Sequence, residues 1–223
     1  MKLTLLIIPA LVFGSCMNSE SNNNGAAADS GSINDSMNHS AHAGAGPTGT
    51  VQTGMDSSMM GLMHSNMAAM MKEPSQGSAD RDFARLMQIH HQGAIDMAQR
   101  LLQGGSDPAL KAMAQKMISD QKKEQAELEK FMGNAPSTQS DSSFYRKTMT
   151  DMRTMKMDMT PGGTEDQQFA RMMIPHHQGA VQMAQTYLQS GAANPELRAM
   201  AQKMITEQQK EIAELQAWLK KNS

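Results

Sequence analysis

Apolar positions recur in steps of three and four along most of the chain. One stripe runs Phe83, Met87, His90, Ala94, Met97, Leu101, and another runs Phe169, Met173, His176, Ala180, Met183, Tyr187. Two more run Leu110, Ala114, Met117, Gln121, Glu124, Leu128, Phe131 and Leu197, Ala201, Met204, Gln208, Glu211, Leu215, Trp218. Such steps place side chains on one face of an α-helix. No stretch alternates with a period of two, so no sheet is expected.

The stripes belong to an internal duplication. Phe83 aligns with Phe169, and Met113 with Met200 after one extra residue in the second turn. Each copy reads as an αα-hairpin. In the second, Thr164 and Gln167 form a capping box, Gly191 is the stop, and Asn194 caps the next helix with Pro195 at its first position. Gly105, Asp107 and Pro108 repeat that punctuation in the first copy. Two hairpins that pair their apolar faces make an all-α four-helix bundle. A Met-rich segment precedes each hairpin: "MDSSMMGLMHSNMAAMMKE" and "YRKTMTDMRTMKMDMT". Each could add a helix to its half. The expected organisation is therefore repeat 1 over 55–132, a linker over 133–144 and repeat 2 over 145–221.

Polar residues interrupt the stripes at matching places. A polar group left unpaired in a core costs about 1–3 kcal/mol, so His90, His176, Gln121, Gln208, Glu124 and Glu211 should lie near one another. Counting outward from the hairpin turns places them at one level of the bundle. Each His is half of a pair, His90–His91 and His176–His177, flanked by methionines in "RLMQIHHQGAIDMA" and "RMMIPHHQGAVQMA". The bland reading is a hydrogen-bonded His–Glu network that specifies the fold. The sharper one is a metal site, which bundles place in such a layer.

Methionine decides which metal. It occurs 25 times in 223 residues, although it is not among the residues that dominate average composition. Di-iron carboxylate bundles want Glu-x-x-His on two helices. Here Met87 and Met173 stand three residues before His90 and His176. Thioether with imidazole suits copper, as Cu(I) and/or Cu(II) and particularly as Cu(I), better than hard cations, and silver satisfies the same ligands. Candidate ligands are thus His90, His91, His176, His177, Met87, Met97, Met173 and Met183. Glu124, Glu211, His64, Met63, Met67, Met149, Met152, Met155 and Met159 form a second tier. Met59, Met63, Met67 and Met70 also share one helical face, whereas Met113, Met117, Met200 and Met204 read as soft core fillers. Pro175 replaces Ile89 of the first copy; it either kinks a helix beside His176 or marks the first turn of one starting there.

The N-terminus speaks of export. "MKLTLLIIPALVFGSC" is a charged start, an apolar run and small residues, the pattern of a signal peptide over 1–16 and too short for a membrane span. Its end, "FGSC", resembles the lipobox of bacterial lipoproteins, which makes Cys16, the sole cysteine, the lipidation site. A tether over 17–54, rich in Ser, Asn, Gly and Ala, follows; it carries Met37, His39 and His42, an auxiliary metal-capture arm or merely solvated side chains. A formal net charge of -2 gives no reason to expect nucleic acid as partner.

At the HH pairs the chain resembles the secreted bacterial domain of unknown function numbered 305 (DUF305). The hallmark "MMIPHHQGA" stands intact at 172–180 and as "LMQIHHQGA" at 86–94, and the resemblance covers about residues 80–219. It implies a ferritin-like fold of two similar two-helix units and carries the His pairs onto His90, His91, His176 and His177. Met-rich members look like periplasmic copper-binding proteins tied to copper tolerance. The expectation is an envelope lipoprotein, periplasmic or attached to the outer membrane. It would bind, buffer or carry copper without catalysis and exchange it with copper-exporting or copper-accepting envelope proteins. The rivals are a di-metal oxidase using Glu124 and Glu211, a b-type haem bundle with His and Met ligands, and a structural or partner-binding bundle.

Overall fold

The computed structural model describes residues 58–133, 141–155, 162–192 and 194–222. Cys16, the 17–54 tether with Met37, His39 and His42, and Met159 lie outside the described residues. Among the described residues six helices follow in order: α1 (Met59–Lys72), α2 (Ala79–Gly104), α3 (Pro108–Glu129), α4 (Ser143–Thr154), α5 (Glu165–Gln189) and α6 (Pro195–Lys221). Among the described residues there is no strand, and no helix is long and apolar enough to cross a membrane.

Local chemistry sets the helix ends. Ser58 caps α1 by accepting from the Gly61 N–H at 3.1 Å, and Ser78 caps α2. The Asp107 carboxylate takes the first free N–H groups of α3, from Ala109 and Leu110, both at 2.9 Å. Thr164 and Gln167 close the reciprocal capping box of α5, and Asn194 caps α6. Each cap satisfies donors that the helix itself leaves orphaned. Gly191 follows α5 at φ +76°, in the left-handed region where glycine carries no steric penalty.

The two longest apolar faces, on α2 and α5, pack against each other and run antiparallel. Phe83 near the start of α2 stacks on Tyr187 near the end of α5, centroids 4.2 Å apart, and Phe144 of α4 meets both rings edge-on. α3 folds back on α2, and α6 on α5. The Met-rich helices α1 and α4 lie across the α2–α5 pair. α4 begins at Ser143, inside the last two residues of the 133–144 stretch, because Phe144 is part of the buried aromatic cluster.

Two apolar clusters fill the interior. One joins Phe83, Met87, Leu128, Phe144, Tyr187 and Met204. The other joins Met59, Met97, Leu101, Met117, Phe169, Met173 and Leu215. The polar level lies between them. α5 runs unbroken through Pro175, the eleventh of its 25 residues, so the reading of Pro175 as a first turn is corrected. The pyrrolidine removes one backbone donor immediately before His176.

Candidate metal centre

The two HH pairs split at the crossing of α2 and α5, because adjacent residues on a helix point about 100° apart. His90 and His176 face each other with ring centroids 3.7 Å apart. His91 and His177, both fully buried, turn the other way, toward α3 and α6. His91 Nε2 lies 3.0 Å from Glu124 Oε2, and His177 Nε2 lies 2.8 Å from Glu211 Oε2. Burial pushes the Glu124 carboxyl up, but His91 and Lys203, whose Nζ lies 3.7 Å away, outweigh it and hold the group below its ordinary range. Gln121 and Gln208 lie buried beside these pairs in a shallow cleft between α3 and α6.

The inward pair opens on a cavity of about 40 Å³ between α1, α2, α4 and α5. Among the described residues six methionines line it: Met63, Met67 and Met70 from α1, Met152 and Met155 at the end of α4, and Met183 from α5. His90, His176, Asn66 and Thr148 bring polar atoms to the same walls, and Asp151 brings a carboxylate.

The glycine of each HHQG motif lets a Met-rich helix approach. A Cβ on Gly93 would stand 2.2 Å from Asn66 Cγ of α1. A Cβ on Gly179 would stand 3.2 Å from Met155 Cε, with Met155 Sδ at 3.7 Å and His90 Nε2 at 3.6 Å. One thioether and one imidazole therefore meet over Gly179.

His90 Nε2 donates to the His176 carbonyl at 3.0 Å, and His176 Nε2 lies 3.3 Å from Asn66 Oδ1. Nδ1 of both rings is buried without a hydrogen-bond partner, as is Nδ1 of His91 and His177. Burial, then the positive charge that His91 and His177 would carry, pushes His90 down to about 3. His176 lies well below its ordinary value, again through burial first. Both rings are thus neutral near pH 7. A neutral imidazole with an unshared Nδ1 lone pair can serve as a metal ligand, and an unpaired buried polar atom needs an explanation. Among the described residues no three His, Cys, Asp or Glu side chains gather at one point. An ion in this cavity must therefore draw on thioethers.

The DUF305 sequence profile, a domain of unknown function, matches residues 21–132 and 132–219. The chain belongs to the DUF305 family. No match is found among curated proteins. Among solved structures, this DUF305 chain is similar to CopM in its Ag-bound form, at 30% identity and a TM-score of 0.50, over 64% of this chain and 96% of CopM. CopM in its Cu(I)-bound form aligns at 32% identity with a TM-score of 0.48, over the same shares. A DUF305 fragment from Deinococcus radiodurans aligns at 23% identity and a TM-score of 0.48, over 66% of this chain and 99% of the fragment.

The DUF305 fold sorts the sequence candidates. It brings His90, His176, Met63, Met67, Met152, Met155 and Met183 to one cavity. Met87, Met97 and Met173 are fully buried in the apolar clusters, and Met149 is buried beside Phe144 in one of them; none of the four lines the cavity. His64 is exposed on the outer side of α1. Glu124 and Glu211 pair with His91 and His177 on the α3 and α6 sides, while His90 and His176 line the cavity, so the polar residues share one level of the bundle and divide between its two sides. The cavity also takes in Asn66 and Met70, which are not among the candidate ligands read from the sequence. Met70 continues the Met59–Met63–Met67 face, a signal that was legible. Asn66 interrupts an apolar stripe, the same signal that singled out the histidines.

Proposed function

We propose that this protein binds soft monovalent copper as cargo in the α1–α2–α4–α5 cavity and buffers or carries it in the cell envelope. The observation that carries this reading is the set of side chains lining one small space: six methionines and two neutral histidines, whose Nδ1 atoms have no hydrogen-bond partner. Thioether sulfur and imidazole nitrogen favour Cu(I) over hard cations, and Ag(I) has the same preference. The similarity to CopM, which has been solved with Ag and with Cu(I) bound, supports the same cargo. His90 and His176 are the nitrogen ligands in this reading, with Met155 and Met183 the first sulfur donors and Met63, Met67, Met70 and Met152 the remainder. His91 and His177 hold α3 and α6 through Glu124 and Glu211.

Export, lipidation at Cys16 and a place in the periplasm or on the outer membrane belong to the same proposal and rest on "MKLTLLIIPALVFGSC". The role is binding rather than catalysis. A di-metal oxidase needs its carboxylates and histidines around one point, and Glu124 and Glu211 pair with His91 and His177 instead.

The test is a competitive Cu(I) titration of the purified protein beside three variants. Binding should weaken at least ten-fold in His90→Ala/His176→Ala and in Met155→Leu/Met183→Leu. It should persist in His91→Ala/His177→Ala. Equal binding by all four proteins would overturn the cavity assignment.

A further inference from the structure

The polar residue that interrupts the methionine face of α1 has a use. We propose that Asn66 is a positioning residue for the soft-metal site, fixing the proton of His176 on Nε2 so that its Nδ1 lone pair is presented to the ion. This rests on the cavity reading above and deepens it.

Asn66 is 8% exposed among Met63, Met67 and Met70. A buried amide there is costly unless paired, and both of its ends are used. Nδ2 donates to the Ile89 carbonyl of α2 at 2.6 Å, and Oδ1 lies 3.3 Å from His176 Nε2 of α5. The Ile89 oxygen can only accept. The reversed amide would set two acceptors against each other, so the orientation is fixed. An amide oxygen likewise only accepts, so the proton between Asn66 and His176 sits on His176 Nε2. Nδ1 is then bare, and it is buried without a partner.

The two inward histidines reach the same tautomer by different routes. His90 Nε2 donates to the backbone carbonyl of His176, which no side-chain substitution removes. His176 depends on a side chain from another helix. Gly93 makes that reach possible, since a Cβ there would stand 2.2 Å from Asn66 Cγ. Metal-ligating histidines commonly give their second N–H to an acceptor that sets tautomer and ring orientation, and removing that acceptor weakens binding ten- to a hundred-fold.

The experiment is ¹⁵N–¹H long-range correlation NMR on the ion-free full chain with labelled histidine, followed by Ag(I) addition as a redox-inert probe. In the wild type, His176 should show protonated Nε2 and bare Nδ1, and Ag(I) should shift Nδ1. Asn66→Ala should give mixed tautomers and an Ag(I) affinity about ten-fold lower. Gly93→Ala leaves Asn66 in the chain but forces its amide away, and should reproduce the mixed tautomers should Asn66→Ala fold poorly. A wild-type His176 protonated on Nδ1, or Asn66→Ala with wild-type tautomer and affinity, overturns the role of Asn66 alone. The expected tautomers with no Ag(I) shift at any histidine overturn the cavity reading and, with it, the ion that Asn66 serves.

Discussion

At the scale of single residues, burial converts His90 and His176 from pH-responsive cations into permanent bases. In the unfolded chain each protonates near pH 6.5. In the fold His90 stays neutral down to about 3, and His176 also lies far below its ordinary value. Between those limits the unfolded state binds more protons, so stability falls as pH falls. Each ring contributes a slope of at most about 1.4 kcal/mol per pH unit. The urea midpoint of the ion-free protein should therefore drop steadily from pH 7 toward pH 4. The drop should be shallower in His90→Phe, which keeps the bulk without the titrating ring. A midpoint that stays flat from pH 7 to pH 5 would contradict neutral buried imidazoles. The histidines were legible because a polar residue on an apolar stripe needs a partner. Their division was not, since periodicity gives a face but not which neighbouring helix covers it. His90 finds His176, while His91, one residue on, finds Glu124.

At the scale of helices, the glycine of each HHQG motif sets how closely a Met-rich helix can lie. An alanine inside a helix ordinarily gains about 1 kcal/mol over glycine. At Gly93 the sign should reverse, because the new Cβ would stand 2.2 Å from Asn66 Cγ. Gly93→Ala should lose about 1–3 kcal/mol, the usual cost of overpacking, read as a lower midpoint in urea. Gly179→Ala meets only the end of a flexible side chain, Met155 Cε at 3.2 Å. It should therefore cost less stability than Gly93→Ala and mainly weaken Cu(I) binding. Equal effects of the two substitutions on both quantities would contradict these roles. Hairpins, caps and core faces could be read along the sequence because they follow local rules: Asp107, Thr164 and Asn194 all cap as their positions suggest. The seating of α1 and α4 could not, because their methionine faces fit either the bundle or an ion equally well. The structure divides them: Met149 packs in the core beside Phe144, and Met152 and Met155 reach the cavity.

At the scale of the molecule, the halves are joined away from the cavity as well as at it. Asp166, buried at the start of α5, accepts from Ser106 N and Oγ and from Asp107 N in the α2–α3 turn, at 2.7–3.2 Å. Burial pushes its carboxyl up, but the Ser106 and Asp107 donors prevail and hold it below the ordinary range. Its contribution is therefore present above the unfolded carboxylate pKa and lost as pH falls through the folded one. Asp166→Ala should lose about 2–3 kcal/mol at pH 7 and leave the copper stoichiometry unchanged, measured by denaturation and by titration side by side. A change in stoichiometry would show that the cavity depends on this distant joint. In the proposed function, the cargo sits where the Met-rich helices α1 and α4 cross the α2–α5 pair. The most direct test is copper K-edge X-ray absorption on the Cu(I)-loaded protein. The account predicts a first shell of both imidazole nitrogen and thioether sulfur, with the nitrogen contribution lost in His90→Ala/His176→Ala. A shell of nitrogen and oxygen without sulfur, or one unchanged by that substitution, would contradict it.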